Sequence, residues 1–170
     1  MDKEQIQAAI AKAKDISNKR NFTQSVDLII NLRGLDLKKQ EHQIDAFMTL
    51  PHSRGKKVKA CALVGAELEQ QAKGIFDFVI MSDNFDRYKD KKEIKKIASS
   101  YDFFVAQASV MPKVATVFGK ILGPAGKMPS PQLGIIMDAN EKTIKELKEK
   151  INKSIKIRTK EPSIKLAVGK

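Results

Sequence analysis

The spacing of apolar residues switches twice along this chain, and few architectures tolerate that. Residues 23–32 alternate, with Val26, Leu28, Ile30 and Leu32 against Ser25, Asp27 and Asn31, interrupted only by Ile29. A second alternating run, Ile44, Ala46, Met48 and Leu50, is closed by Pro51. A period of two puts one face in a core and the other in water, so both runs predict half-buried strands. Residues 58–64, 76–81 and 103–106 are instead nearly continuous apolar runs separated by helical stretches, the pattern of parallel strands covered on both faces. From residue 154 the period of two returns: Ile155 and Ile157 alternate with Lys156 and Arg158, and Ile164, Leu166 and Val168 follow Pro162, which reads as a hairpin completing the first unit. The economical solution is an α/β chain of two domains. Residues 1–54 and 154–170 form a discontinuous α+β domain I, and residues 55–153 an inserted βα domain II. The two adjacent crossings, with His52, Gly55, Lys153 and Ser154, form a natural hinge.

Helices are predicted over residues 4–17, with Ile6, Ala9, Ile10, Ala13 and Ile16 on one face, and over 67–73, 84–99 and 110–118. Ser109 is placed to cap the last of these, with Pro112 in its first turn. A Gly/Pro-rich loop is expected over 123–134, then a further helix opened by a capping pair of Asp138 and Glu141, with Glu141/Lys145 and Glu146/Lys150 at i,i+4.

The charge narrows the partners. With 32 Lys and Arg against 20 Asp and Glu, the chain carries a formal net charge of +12. Residues 1–57 hold eleven cations and seven acids, and residues 154–170 five and one, so the outer unit carries +8 of it and is the expected polyanion binder. No apolar run approaches the roughly 20 residues of a membrane span, which together with the single cysteine predicts a soluble cytoplasmic protein. Cys61 lies within an apolar strand and reads as core, and His42 and His52 have no ligand-like spacing, so neither metal nor catalytic thiol is expected. His52 is expected to fix the crossing by hydrogen bonding.

Two clusters suit RNA. Lys19, Arg20, Phe22, Thr23 and Gln24 gather cations for phosphate, an apolar plate for a base and short polar groups for a 2′-hydroxyl at the entry to a strand; the plain alternative is a core Phe22 beside a solvated helix end. Lys156, Arg158, Thr159 and Lys160, with Lys165, face outward from a later strand, and if the two strands are neighbours both clusters share one face. The stretch Gly119 to Pro129 invites a nucleotide reading but fails it: Ile121 stands where a P-loop needs glycine, Met128 replaces its hydroxyl, and Gly65 stands alone after the first central strand. A nucleotide-dependent enzyme on the central domain is therefore the weaker alternative. Lys120 and Lys127 could still touch a phosphate backbone.

The segments K-R-N-F-T-Q-S-V-D-L-I-I-N-L at 19–32, L-P-H-S-R-G-K at 50–56, K-I-L-G-P-A-G-K-M-P at 120–129 and the closing A-V-G-K resemble the L-one family of large-subunit ribosomal proteins in its archaeal form, in order and over nearly the whole chain. The resemblance implies a non-enzymatic protein, without cofactor or small-molecule substrate and monomeric when free. Its domain I would bind large-subunit ribosomal RNA and its Rossmann-like domain II would carry no nucleotide. It implies the mobile lateral stalk next to the exit-site tRNA, aiding tRNA release, and repression of translation through binding to the protein's own mRNA; an off-ribosome regulatory RNA binder is the closer alternative. By matched position, Phe22, Thr23 and Gln24 fall on the first RNA-contacting strand and Arg158, Thr159 and Lys160 on the second, while Gly123, Gly126 and Lys127 mark the loop nearest stalk RNA or tRNA. Members usually continue beyond the position of Lys170, so part of the domain I surface is expected to be missing here.

Overall fold

The computed structural model describes residues 2–36, 39–88, 90–137, 140–159 and 161–169. Its centre is a four-stranded, all-parallel sheet of β3 (Ala60–Val64), β4 (Phe78–Met81), β5 (Phe103–Gln107) and β6 (Ile135–Ile136), in the order β4-β3-β5-β6. Strict alternation within β3 sends Ala60, Ala62 and Val64 to one core and Cys61 and Leu63 to the other, and all five are buried. The first core is closed by α2 (Glu69–Ile75) and α5 (Glu141–Lys153) through Ala72, Ile144 and Ile151. The second is closed by α3 (Lys91–Ser100) and α4 (Met111–Ala125) through Ile94, Ala98, Val114, Phe118 and Leu122. Helices on both faces explain why these strands read as unbroken apolar runs.

Both chain ends supply antiparallel pairs. After α1 (Lys3–Ile16), β1 (Val26–Asn31) pairs with β8 (Ser163–Gly169), and β2 (Asp45–Thr49) pairs with β7 (Ser154–Arg158). The predicted hairpin of the last two strands is thus corrected: β7 and β8 follow one another but take different partners. Nor does β1 bury a face, since none of its six residues is buried and Ile29 is 59% exposed. A two-stranded ladder buries a face only beneath another layer, and α1, its natural cover, buries no residue. Where the terminal and central strands meet, Phe47 of β2 packs edge-on against Phe103 of β5 at 5.7 Å between centroids. The two crossings are joined by Leu50 N–H donating to the Lys153 carbonyl at 2.8 Å.

Other local expectations shift for physical reasons. The predicted third central helix and following loop become one longer helix, α4, which continues through Gly119, Gly123 and Pro124 because Val114, Phe118 and Leu122 form a buried i, i+4, i+8 stripe. Burial of that stripe outweighs a proline near the helix end. Ser109 lies in the short 3-10 turn before α4, whose N-cap is Val110 with no side-chain bond. The cap of α5 is Asn140, which accepts from Lys142 N–H at 3.1 Å; the predicted cap Asp138 lies outside the described residues. Of the two pairs expected on α5, Glu141 and Lys145 form an ion pair, whereas Glu146 and Lys150 do not.

Candidate nucleic-acid interface

The segment between α1 and β1 builds the more open of the two predicted clusters. The Ser17 hydroxyl donates to the Lys14 carbonyl and ends the helix, and Gln24 Nε2 reaches back to the Asn18 carbonyl at 3.1 Å, folding the connection into a loop. Phe22 stands on that loop 62% exposed, with the Arg20 guanidinium 5.7 Å from its ring centroid. The alternative of a core Phe22 is therefore not what the structure presents. An aromatic face left in water beside a cation is a stacking surface for a base or ribose, with the guanidinium able to meet phosphate. Lys19 and Thr23 are exposed alongside.

The second cluster is largely turned inward. Asp45 lies opposite Arg158 in the β2–β7 ladder, and Phe47 lies opposite Lys156. Lys156 Nζ is 3.2 Å from Asp45 Oδ1, lies 5.1 Å over the Phe47 ring and donates to the Gly126 carbonyl at 3.0 Å. Arg158 Nε is 3.7 Å from the other oxygen of Asp45. Thr159 is 7% exposed, and its hydroxyl accepts from Ile44 N–H at 2.8 Å, extending the ladder by one step. Of the second cluster, Arg158 and Lys165 keep exposed side chains, and Lys160 lies outside the described residues.

The condition for a shared face is also not met. The strand carrying Lys156 and Arg158 pairs with β2, not with β1. Along the β1–β8 ribbon Val26 pairs with Gly169 and Asn31 with Ser163, so the Phe22 loop lies at one end and Thr159, which precedes β8, toward the other, with Lys165 between them opposite Ile29. Seven residues of strand put the Phe22 loop and Thr159 roughly 20 Å apart.

The glycine-proline segment takes a different form from the predicted loop. Lys120 and Gly123 are exposed on the last turns of α4, and Gly126 ends the helix in the left-handed region at φ 70°. Its N–H and that of Lys127 satisfy the Gly123 and Leu122 carbonyls. Lys127 is not a protruding phosphate contact: its ammonium donates to the Ala98 and Tyr101 carbonyls at 2.6 and 2.8 Å, capping the C-terminus of α3. At the crossings, Ser154 is buried and its hydroxyl donates to the Lys150 carbonyl, and Gly55 turns the chain at φ 75°. His52 is exposed and makes no hydrogen bond among the described residues, so the Leu50–Lys153 bond takes the fixing role expected of it.

The central sheet has the crevice where such folds bind nucleotides, at the carboxyl ends of β3 and β5 where the strand order reverses. Here the Gln107 side chain reaches across from β5, with Oε1 accepting from Gly65 N–H at 2.8 Å. A Cβ at residue 65 would stand 3.1 Å from that oxygen, so the lone glycine serves packing rather than phosphate. Burial pushes the Cys61 thiol up to about 12, far from a nucleophile's range. Sequence reasoning missed Gln107 and the pairing role of Asp45, because each acts on a residue brought to it only by sheet register.

Residues 10–170 match the Ribosomal protein L1p/L10e family. The chain is 40% identical over 169 residues to the large ribosomal subunit protein uL1 of Methanothermobacter thermautotrophicus, covering 98% of this chain and 77% of that one. It is 41% identical over 169 residues to the protein of the same name from Methanobrevibacter smithii, with the same coverage. The Methanocaldococcus jannaschii protein of that name is 37% identical over 171 residues, covering 99% of this chain and 75% of the relative. On a match that runs from α1 through β8, the chain belongs to the Ribosomal protein L1p/L10e family, alongside archaeal uL1 proteins.

Proposed function

We propose that this chain is a structural, non-enzymatic component of the large ribosomal subunit, working in the cytoplasm, and that it binds large-subunit ribosomal RNA through the surface around Phe22. The observation that carries the reading is the exposed Phe22 plate with Arg20 beside it, on a chain of a ribosomal protein family with a net charge of +12. The Gln107–Gly65 bond, which engages the backbone N–H a phosphate would meet there, supports a non-catalytic central unit.

The finer reading follows from the pairing pattern. Among the described residues, strands β1, β2, β7 and β8 pair only among themselves and β3 to β6 only among themselves, which supports a domain I of residues 1–54 and 154–170 and an inserted Rossmann-like domain II of 55–153. In this reading domain I anchors on RNA while domain II moves about the crossings as the lateral stalk, beside the exit-site tRNA and aiding its release. Exposed Lys120 at the end of α4 is its nearest cation to stalk RNA or tRNA. The same domain I surface would bind a mimic of the site on the protein's own mRNA and repress translation, with the free protein monomeric.

Filter binding tests the RNA surface. Phe22→Ala is expected to weaken binding to the stalk helix of the large-subunit ribosomal RNA at least tenfold while leaving generic duplex binding nearly unchanged, whereas Lys19→Ala weakens both modestly. Equal losses on both RNAs for the two variants would remove Phe22 from recognition.

A further inference from the structure

A cavity of about 320 Å³ lies where the terminal strands abut the start of the central sheet, and the RNA surface described above does not account for it. Its cations come from three separate stretches of chain: Arg54, Lys56 and Lys57 from the first crossing, Lys156 from β7 and Lys165 from β8. The acid in its lining is Asp102, whose carboxylate already accepts from Lys59 N–H at 3.3 Å. Lys156 is held by Asp45 and the Gly126 carbonyl, but Arg54, Lys56, Lys57 and Lys165 enter no ion pair among the described residues. Arg54 Nε is buried without any hydrogen-bond acceptor among the described residues. The floor is apolar, built by Phe47, Val58, Phe103 and Ile155.

These features belong together physically. Cations gathered around one apolar-floored hollow repel one another, and the low-dielectric wall strengthens that repulsion as it strengthens attraction to an anion. A buried guanidinium N–H with no acceptor is a donor awaiting one. The volume equals that of about ten waters at ~30 Å³ each, ample for a phosphate group and part of its sugar. The hollow opens at the starts of β3 and β5, beside Val58 and Phe103, and so lies at the end of the sheet opposite the crevice where Gln107 meets Gly65.

We propose that this cavity is a second RNA contact, which seats a backbone phosphodiester on Arg54, Lys56, Lys57 and Lys165. The proposal rests on the RNA-binding reading and deepens it. Because the walls come from the crossing, from the terminal strands and from the central sheet, a phosphate held there ties RNA to the joint itself.

The test uses the full chain and a Lys56→Gln/Lys165→Gln variant, both side chains being exposed so that folding is preserved, with Arg54→Lys as a second variant that keeps the charge but loses Nε. Calorimetry with inorganic pyrophosphate reads the anion site, and filter binding to the stalk helix across a salt series reads RNA. Pyrophosphate affinity is expected to fall about tenfold in the double variant and severalfold in Arg54→Lys. The slope of log affinity against log salt for RNA should fall by up to about 0.9 in the double variant, the share of the one duplex phosphate contact proposed. Equal pyrophosphate binding by all three proteins overturns the site. Loss of pyrophosphate binding with the RNA affinity and slope intact overturns the phosphodiester and leaves a free-phosphate site. Absence of RNA binding by the unmodified chain defeats the RNA reading and this proposal with it, and the pyrophosphate arm then reports separately whether the hollow takes an anion.

Discussion

At the scale of single residues, the cations of this chain divide into those that hold the fold and those left to meet a partner. Lys127 is of the first kind. Lys127→Ala should destabilise by about 1–2 kcal/mol, because two part-buried carbonyls lose a charged donor, and leave RNA affinity within twofold; differential scanning calorimetry beside filter binding separates this from a phosphate contact, which would show the reverse. Lys148 is also of the first kind, bridging Asp77 at 2.7 Å and the Val58 carbonyl at 3.3 Å. For Asp77, burial works against ionisation, but the hydrogen bonds from Lys148 and Ala60 N–H and the ammonium charge outweigh it, so the carboxyl titrates below its usual value. A carboxyl with a lowered folded pKa contributes stability above its unfolded value of about 3.9 and loses it as pH falls through the folded value. Asp77→Asn should therefore be less stable at neutral pH and lose less stability than the parent on titration below about pH 4; parallel acid-denaturation curves would show the pair to be idle. The effect is modest, since Asp77 is 46% exposed and solvent screens the pair.

At the scale of elements, the strands and most helices were legible because their apolar periods differ and each is set by the chain's own geometry. The helix predicted over 84–99 is instead a 3-10 stretch at Ser82–Arg87 followed by α3, and the next predicted helix is misjudged at its end. Residues 119–125 look like loop by composition, with two glycines and a proline, and only packing against Phe85 and the sheet keeps them helical: Phe118 meets Phe85 edge-on at 5.2 Å, and Leu122 is fully buried. Gly126 then has to adopt φ 70°, a conformation that costs an L-residue about 1–2 kcal/mol. Gly126→Ala should lower the melting temperature accordingly, and Gly126→Asn by less. The added Cβ would stand 3.0 Å from Arg158 Nη1, the far end of a flexible side chain that can yield, so equal losses for Ala and Asn would point to that contact rather than to the backbone.

At the scale of the whole molecule, the specific contacts across the proposed hinge among the described residues include the Leu50–Lys153 bond, the Ser154 hydroxyl on the Lys150 carbonyl, the Phe47–Phe103 pair and Lys156 on the Gly126 carbonyl. Labels at exposed Lys113 on α4 and Ser25 before β1 should report a changed distance, or a narrowed distance distribution, when stalk RNA binds; identical distributions free and bound would make the two units one rigid body. The amino-acid sequence determined by itself that the chain is basic, that a doubly covered parallel βα unit is inserted between alternating strands, and that Phe22 and Arg20 stand at a strand's mouth. Each of those follows from local spacing or from charge, which need no knowledge of neighbours. Only the tertiary structure decided that Thr159, Lys156 and Lys127 are already engaged, that β1 takes β8 and not β7 as its partner, and that Gln107 bonds Gly65 at the crevice. Strand pairing and register bring together residues far apart in the chain, such as Ile44 with Thr159 and Gly65 with Gln107, and the free energy that selects those partners is long-range burial, which no short stretch of sequence encodes.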